Sequence, residues 1–360
     1  MRILFNIGSL KKGGAERVTA NLANFFIHNN DVAIVTSIKC NSFYKLNENI
    51  NVYALDKEKQ YKNVIIKNIN RLRELSKLIK DYKPDIIISF LPHPSYRVLF
   101  LKLFNKNLKV IVSVRNDPKI EYKSKVNSVI MNILYPLADG FIFQTEEARE
   151  YFKDKIQKKS EIIPNPIADE FINATINKDK EKRIINVGRL EEQKNQLTLI
   201  QAFKAFSDQY PEYKLFIYGE GSLRKRLEDE IEQLKLNDKV FLPGNTDNLI
   251  DELNKSEIFV LSSKYEGMPN ALMEAMAMGV ACISTDCPCG GPRFLIANEE
   301  NGILIKNGSK EQIYNSLIKI IENPELRQKL KNNAIKIRRD LNSEVINNRW
   351  NNYIRKILGG

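Results

Sequence analysis

Several signals that would narrow the chemistry of this chain are scarce. Among its 360 residues there are 4 cysteines, Cys40, Cys282, Cys287 and Cys289. None stands in CxxC spacing, so neither a disulfide framework nor a zinc tetrad is indicated. Only 2 histidines are present, His28 and His93. No DxD occurs, so carboxylates spaced to hold a metal ion on a diphosphate are not indicated. No apolar run reaches about 18 residues, which excludes a membrane-spanning helix. The start of the chain carries no basic-then-apolar leader, and the expectation is a cytoplasmic protein with reduced thiols.

What is present is length and positive charge. A chain of 360 residues exceeds what one core usually organises, and two domains are expected. The formal net charge is +12, and it is unevenly spread. Residues 1 to 180 carry 30 Lys and Arg against 19 Asp and Glu, and residues 181 to 360 carry 26 against 25. Such a field suits anionic lipid or nucleic acid. No zinc-finger spacing, RNP aromatic signature or recognition-helix repeat supports nucleic acid, so none is expected as a partner. Lipid fits better. The segments 61 to 80 and 96 to 109 mix Lys and Arg with Ile, Leu and Phe, as membrane-surface helices do, although sheet-covering helices with basic faces would look the same.

Short β-branched runs alternate with helical patterns along the whole chain, which predicts parallel α/β sheets. Strands are expected at 2 to 8, 32 to 38, 50 to 56, 85 to 91, 109 to 115 and 140 to 145. A second set begins near 183 and continues at 214 to 218, 240 to 243, 257 to 263, 281 to 285 and 302 to 305. The polar stretch between them reads as a linker at 167 to 182. The domains are then 1 to 166 and 183 to 340, followed by a final helix at 341 to 360.

The run YEGMPNALMEAMAMG, residues 265 to 279, follows a strand-like EIFVLSS and so lies at a strand, loop, helix junction. Pro269 suits the first turn of that helix. The backbone donors of Gly267, Met268 and Asn270 are then expected to seat phosphate oxygens at the helix N-terminus. Glu274, one turn in, can accept from two vicinal hydroxyls such as those of a ribose, and Glu266 on the loop from a hexose hydroxyl. Spacing alone also allows a core helix with two solvated glutamates. A second strand, loop, helix unit, residues 183 to 203, carries Arg189 and Lys194 in its loop. Two cations there could neutralise a diphosphate as it leaves, though ordinary surface charge would read the same way.

The combination of EGMPNALME, VGRLEEQK, SLKKGGAERV (9 to 18) and IIPNPI (162 to 167) resembles retaining glycosyltransferase family 4. The motifs GGAER, VSVRNDP and TDCPCGGPR are similar to bacterial enzymes that build capsular, O-antigen or lipid-linked glycans. The resemblance spans the chain. It implies the GT-B fold: two doubly wound, Rossmann-like domains facing a cleft, with the C-terminal helix crossing back to the N-terminal domain. It also implies a nucleotide-sugar donor, here expected to be a UDP-sugar, with no cofactor and no metal. The acceptor would be a lipid-linked saccharide, met by a protein held on the anionic inner face of the cell membrane.

The resemblance assigns further residues. Gly14 in the first glycine loop would approach the donor diphosphate, Gly219 in YGEGS would line the donor site, and the backbone at Thr246 in LPGNT would meet the base. Arg224 stands where a dinucleotide fingerprint needs its third glycine, which argues against NAD. Where many family members carry a histidine after the fifth strand, this chain has Arg115 and Asn116. Arg115 is expected to stabilise the leaving phosphate or bind an anionic acceptor, and His93 and Asn116 to lie on the acceptor side. The implied chemistry is front-face substitution, with Glu266, Arg189 and Lys194 about the sugar and diphosphate and no enzyme nucleophile. A sugar-nucleotide 2-epimerase on the same scaffold and a non-catalytic basic binding protein are the alternatives.

Overall fold

The computed structural model describes residues 1–56, 63–177 and 179–359. It divides into two compact units, one of residues 1–165 with 346–360 and one of 166–345. Tyr61 and Lys62, at the head of the first basic segment, Lys178 of the expected linker and Gly360 lie outside the described residues.

The first unit holds seven strands: β1 (Arg2–Ile7), β2 (Asp31–Thr36), β3 (Asn51–Ala54), β4 (Ile86–Phe90), β5 (Val110–Ser113), β6 (Gly140–Phe143) and β7 (Ser160–Ile162). All pairings are parallel, in the order β3-β2-β1-β4-β5-β6-β7. The central strands are apolar without alternation because both faces are covered; every residue of β4, Ile-Ile-Ile-Ser-Phe, is buried. β7 was not expected from sequence. It is a three-residue edge strand, Ser-Glu-Ile, too short and polar to produce a pattern.

Chain direction sorts the covering helices. β1 to β2 steps one way across the sheet, whereas the steps β3 to β4, β4 to β5 and β5 to β6 run the other way. Right-handed crossovers then place helices Val64–Tyr82, Pro92–Lys102 and Lys125–Leu134 on one face and Gly14–Phe26 on the other. The first three pack side by side.

The final helix, Ser343–Leu358, closes the first unit. Trp350 is fully buried and stacks on Phe90 at 6.1 Å. The Tyr353 hydroxyl donates to the Lys159 carbonyl at 2.6 Å and accepts from the Phe141 amide at 3.0 Å. A Cβ at position 140 would stand 2.5 Å from that hydroxyl, which is why glycine opens β6.

The second unit is a six-stranded parallel sheet: β8 (Glu181–Val187), β9 (Lys214–Tyr218), β10 (Val240–Gly244), β11 (Ser256–Leu261), β12 (Ala281–Asp286) and β13 (Ile303–Lys306), in the order β10-β9-β8-β11-β12-β13. Its core gathers Phe203 and Phe206 against Leu215, Ile217, Ile258 and Ile283. The linker expectation for 167 to 182 needs correcting, because its described residues are docked on this unit. Ile167 and Phe171 are buried, and the Ile167 amide bonds the Leu341 carbonyl at 2.8 Å. Arg338 donates to the carbonyls of Ala277, Ile172 and Ala174 at 2.7 to 3.0 Å. Two apolar anchors and one arginine fork hold a segment whose composition reads as free chain.

Candidate active site

Two loops at the C-terminal edge of the second sheet, with the helix that follows one of them, carry Arg189, Lys194, Glu266, Gly267, Met268, Asn270 and Glu274. The loop after β11 begins with Ser262 and Ser263, both fully buried, and ends at Pro269, which caps the helix Asn270–Ala277. Pro269 thus sits one position before the helix, where its lack of an N–H leaves no donor unpaired. The helix stands because Leu272, Met273, Ala275 and Met276 are buried, and this fixes the positions of its first residues.

The loop after β8 lies against this one through several bonds. Ser262 Oγ donates to the Lys194 carbonyl at 2.9 Å, the Lys264 amide to the Gln193 carbonyl at 2.7 Å, and Gln193 Nε2 to the Tyr265 carbonyl at 3.0 Å. Together they bring Lys194 to Glu266. Lys194 Nζ donates to Glu266 Oε1 at 2.5 Å, and Ser263 Oγ donates to the same oxygen at 2.6 Å. The lysine side chain is 17% exposed and the glutamate 7%. Oε2 of Glu266 receives no hydrogen bond from the described residues, which leaves it for a ligand hydroxyl.

A third loop holds the second from behind. The Glu266 amide donates to the Pro288 carbonyl at 2.6 Å, and the Cys289 amide to the Glu266 carbonyl at 3.0 Å. A Cβ at position 291 would lie 1.7 Å from the Gly267 carbonyl oxygen, so only glycine lets the loops meet this closely. The Cys287 thiol is pushed up to about 12 by burial first and then by the Glu266 charge, which keeps it protonated and inert.

Glu274 lies on the helix Asn270–Ala277 and is buried. Arg189 is exposed, and its Nη2 donates to Gln193 Oε1 at 3.3 Å. Gly219 has φ +139° and donates its amide to the Gly244 carbonyl at 2.8 Å. A Cβ there would stand 2.0 Å from the Gly188 carbonyl oxygen, so close packing of two loops accounts for this glycine. Thr246 Oγ1 accepts from the Asn248 amide at 3.0 Å, which shapes the turn before the next helix.

Comparison with known sequences identifies the family. A family model described as "Glycosyltransferase Family 4" matches residues 12–171, and one described as "Glycosyl transferases group 1" matches 168–337. An uncharacterized glycosyltransferase of Methanocaldococcus jannaschii is 32% identical over 337 residues, covering 79% of this chain and 82% of that protein. A Campylobacter jejuni protein is 30% identical over 345 residues, 91% of this chain and 92% of its own length. Its name is N-acetylgalactosamine-N,N'-diacetylbacillosaminyl-diphospho-undecaprenol 4-alpha-N-acetylgalactosaminyltransferase. The chain belongs to the family 4 glycosyltransferases. The crystal structure of Anabaena HepE with UDP superposes with a TM-score of 0.82 at 17% identity, covering 99% of this chain and 100% of that one, which gives the glycosyltransferase the GT-B fold.

The remaining expected residues belong to the first unit of the glycosyltransferase. Gly14 opens the helix Gly14–Phe26, and the amide of its neighbour Gly13 donates to the Tyr44 hydroxyl at 3.2 Å. His93 is exposed near the start of the helix Pro92–Lys102, its pKa held below the ordinary imidazole value by desolvation and then by the charges of Arg97 and Arg71. Asn116 is half-buried. Arg115 departs from the picture of a cation open to an anion. Its guanidinium is buried about 5.3 Å from the Trp350 ring and 5.4 Å from the Phe90 ring, and Nη1 donates to Asn165 Oδ1 at 3.0 Å. Burial lowers its pKa to about 9, and Nε and Nη2 have no hydrogen-bond partner among the described residues. In this structure it braces the returning helix.

Sequence reasoning missed Ser263, Gln193 and the 287–291 loop as positioning elements of the glycosyltransferase. TDCPCGGPR was noted only for its resemblance. The signal that could have found its role is the glycine pair Gly290 and Gly291 in the loop after a strand adjacent to β11, where one loop must pass closely by another.

Proposed function

We propose that the enzyme is a retaining transferase that moves a hexose or N-acetylhexosamine from a UDP-sugar to a lipid-linked saccharide, forming an α linkage in bacterial surface glycan or glycoconjugate synthesis. The observation that carries this reading is the Lys194–Glu266 pair beside the N-terminus of the helix that bears Glu274. It supplies an amine for a diphosphate, a free carboxylate oxygen for a sugar hydroxyl, and a second carboxylate for ribose. The names of relatives support the acceptor class: one transfers N-acetylgalactosamine to a diphospho-undecaprenol glycan, and another from Escherichia coli is a UDP-galactose-dependent enzyme acting on a diphosphoundecaprenol-linked sugar. UDP bound to a protein of the same fold supports the donor class.

In this reading Arg189, Lys194 and the backbone at Gly267, Met268 and Asn270 bind the donor diphosphate without a metal. Glu274 holds the ribose, and the backbone at Thr246 meets the base. Lys194 Nζ has three hydrogens and gives one to Glu266, so two remain for phosphate oxygens as the C1–O bond breaks. The departing phosphate oxygen takes the acceptor's proton as the acceptor oxygen bonds C1 from the same face. Gly14, Asn116 and His93 serve the first unit's part in binding, and the protein works on the inner face of the cell membrane.

A panel of UDP- and GDP-sugars tests the donor. A binder at 100 times its Kd should stabilise the fold by about 2.7 kcal/mol. NMR of the product made from a polyprenyl-diphosphate saccharide then reports the anomer. The reading fails if no nucleotide sugar stabilises the protein, or if the product anomer is inverted.

A further inference from the structure

The helix Lys125–Leu134 is apolar on both sides. Met131 and Leu134 are buried, while Val126, Val129 and Ile133 face water at 67, 57 and 64% exposure. These three lie at i, i+3 and i+7, a single stripe along the outer surface. Burial against the sheet does not account for them. The adjoining helices continue the pattern. Four large apolar side chains are exposed between 64 and 69, including Ile65, and three between 100 and 104, including Phe104 at 78%. That makes ten on one helix layer and the turn that follows its middle helix, against two, Phe294 and Val345, in the whole second unit among the described residues. The layer is continuous: helices Val64–Tyr82 and Lys125–Leu134 each pack on Pro92–Lys102, and the Tyr96 hydroxyl donates to the Asn127 carbonyl at 3.1 Å. Exposed apolar surface on this scale marks an interaction face.

The charges among these residues decide what covers it. Residues 96–134 carry eight Lys and Arg against two acidic residues, Asp117 and Glu121. Lys106, Lys123 and Lys125 are exposed within one to three residues of Phe104 or Val126. A protein interface excludes lysine from its apolar centre. A bilayer surface accepts the mixture, because lysine stems lie along the apolar zone while the ammonium groups reach anionic headgroups. Among the described residues no helix is long and apolar enough to cross a membrane.

We propose that this layer, centred on Val126, Val129 and Ile133, is the surface by which the enzyme docks onto an anionic bilayer. The inference deepens the proposed use of a lipid-linked acceptor and rests on it for its purpose. Side chains of the stripe enter the interface between headgroups and acyl chains, and the surrounding lysines hold the headgroups. Sequence composition pointed to 61–80 and 96–109 and missed this stripe, since only tertiary structure shows which face of the helix is left uncovered.

The test is sedimentation of the full chain with vesicles of phosphatidylcholine alone or mixed with phosphatidylglycerol, both free of acceptor lipid. The wild type is expected to pellet with the anionic vesicles and to be released by salt. The triple variant Val126→Ser, Val129→Ser, Ile133→Ser removes exposed groups only and is expected to bind about tenfold more weakly or worse, whereas Val345→Ser is expected to bind like the wild type. Equal pelleting of the triple variant overturns the proposal. So does a wild-type dimer on size exclusion that the triple variant breaks, which would assign the face to a second copy. A wild type that stays in the supernatant yet glycosylates a detergent-dispersed acceptor overturns the docking surface and leaves the transferase reading intact.

Discussion

Replacing Lys194 with methionine separates what the Lys194–Glu266 pair does for stability from what it does for transfer. Methionine keeps most of the side chain's volume and removes its charge. The carboxylate left behind is 7% exposed and keeps the Ser263 hydroxyl, 2.6 Å away, as its side-chain donor. Two unit charges about 4 Å apart attract by about 4 kcal/mol at an effective dielectric constant near 20. Desolvation offsets much of that, yet breaking a buried pair from one side costs about 3–5 kcal/mol because the remaining charge is stranded. Lys194 is 17% exposed, so water will reach the vacated space and the loss should be about 2–3 kcal/mol. At an m-value of about 2–3 kcal/mol/M this moves the urea midpoint of the second unit's transition down by about 1 M. Adding Glu266→Gln removes the stranded charge and should bring stability back to within about 1 kcal/mol of wild type. Transfer should not return. Loss of a cation that meets a leaving diphosphate is expected to lower kcat about 10²- to 10³-fold in both the single and the double variant. A double variant no more stable than Lys194→Met, or a single variant that transfers sugar at the wild-type rate, would refute the reasoning.

Gly291→Ala is expected to force the Glu266 loop outward, since the new methyl would lie 1.7 Å from the Gly267 carbonyl oxygen and 2.9 Å from Pro269 Cδ. Calorimetry should show weakened nucleotide-sugar binding together with about 1–3 kcal/mol of lost stability, and wild-type affinity would count against the three-loop arrangement. Glu121 gives a pH prediction in the first unit, where burial first and the Asp117 charge second push its carboxyl up to about 7. The folded state then holds this proton more tightly than the unfolded chain, so stability falls as pH rises from the ordinary value of 4.5 through about 7. Glu121→Gln should remove that slope and add about 1–2 kcal/mol at pH 8; urea midpoints at pH 5 and pH 8 that shift equally in both proteins would contradict it.

Much of the fold is legible because parallel sheets buried on both faces are written as continuous apolar runs. All twelve expected strands are present, to within one or two residues at most ends. β7 escaped because an edge strand of three residues carries no such run. The segment from 167 escaped for the opposite reason: it looks free, but Ile167, Phe171 and the distant Arg338 tie it down. In the site, Glu266 and Lys194 were legible as chemistry, 72 residues apart in sequence. Their direct pairing was not, because it depends on β8 and β11 being neighbours in the sheet.

The linear order of residues by itself determined the class of fold, the two units and the kinds of group available to a donor, because periodicity and side-chain chemistry are local properties. Tertiary structure alone decided that Lys194 and Glu266 share a hydrogen bond, that Arg115 lies buried near Phe90 and Trp350, and that the outer stripe of Lys125–Leu134 stays bare. Each depends on which distant backbone arrives beside it, and burial, pairing and exposure are set by those neighbours.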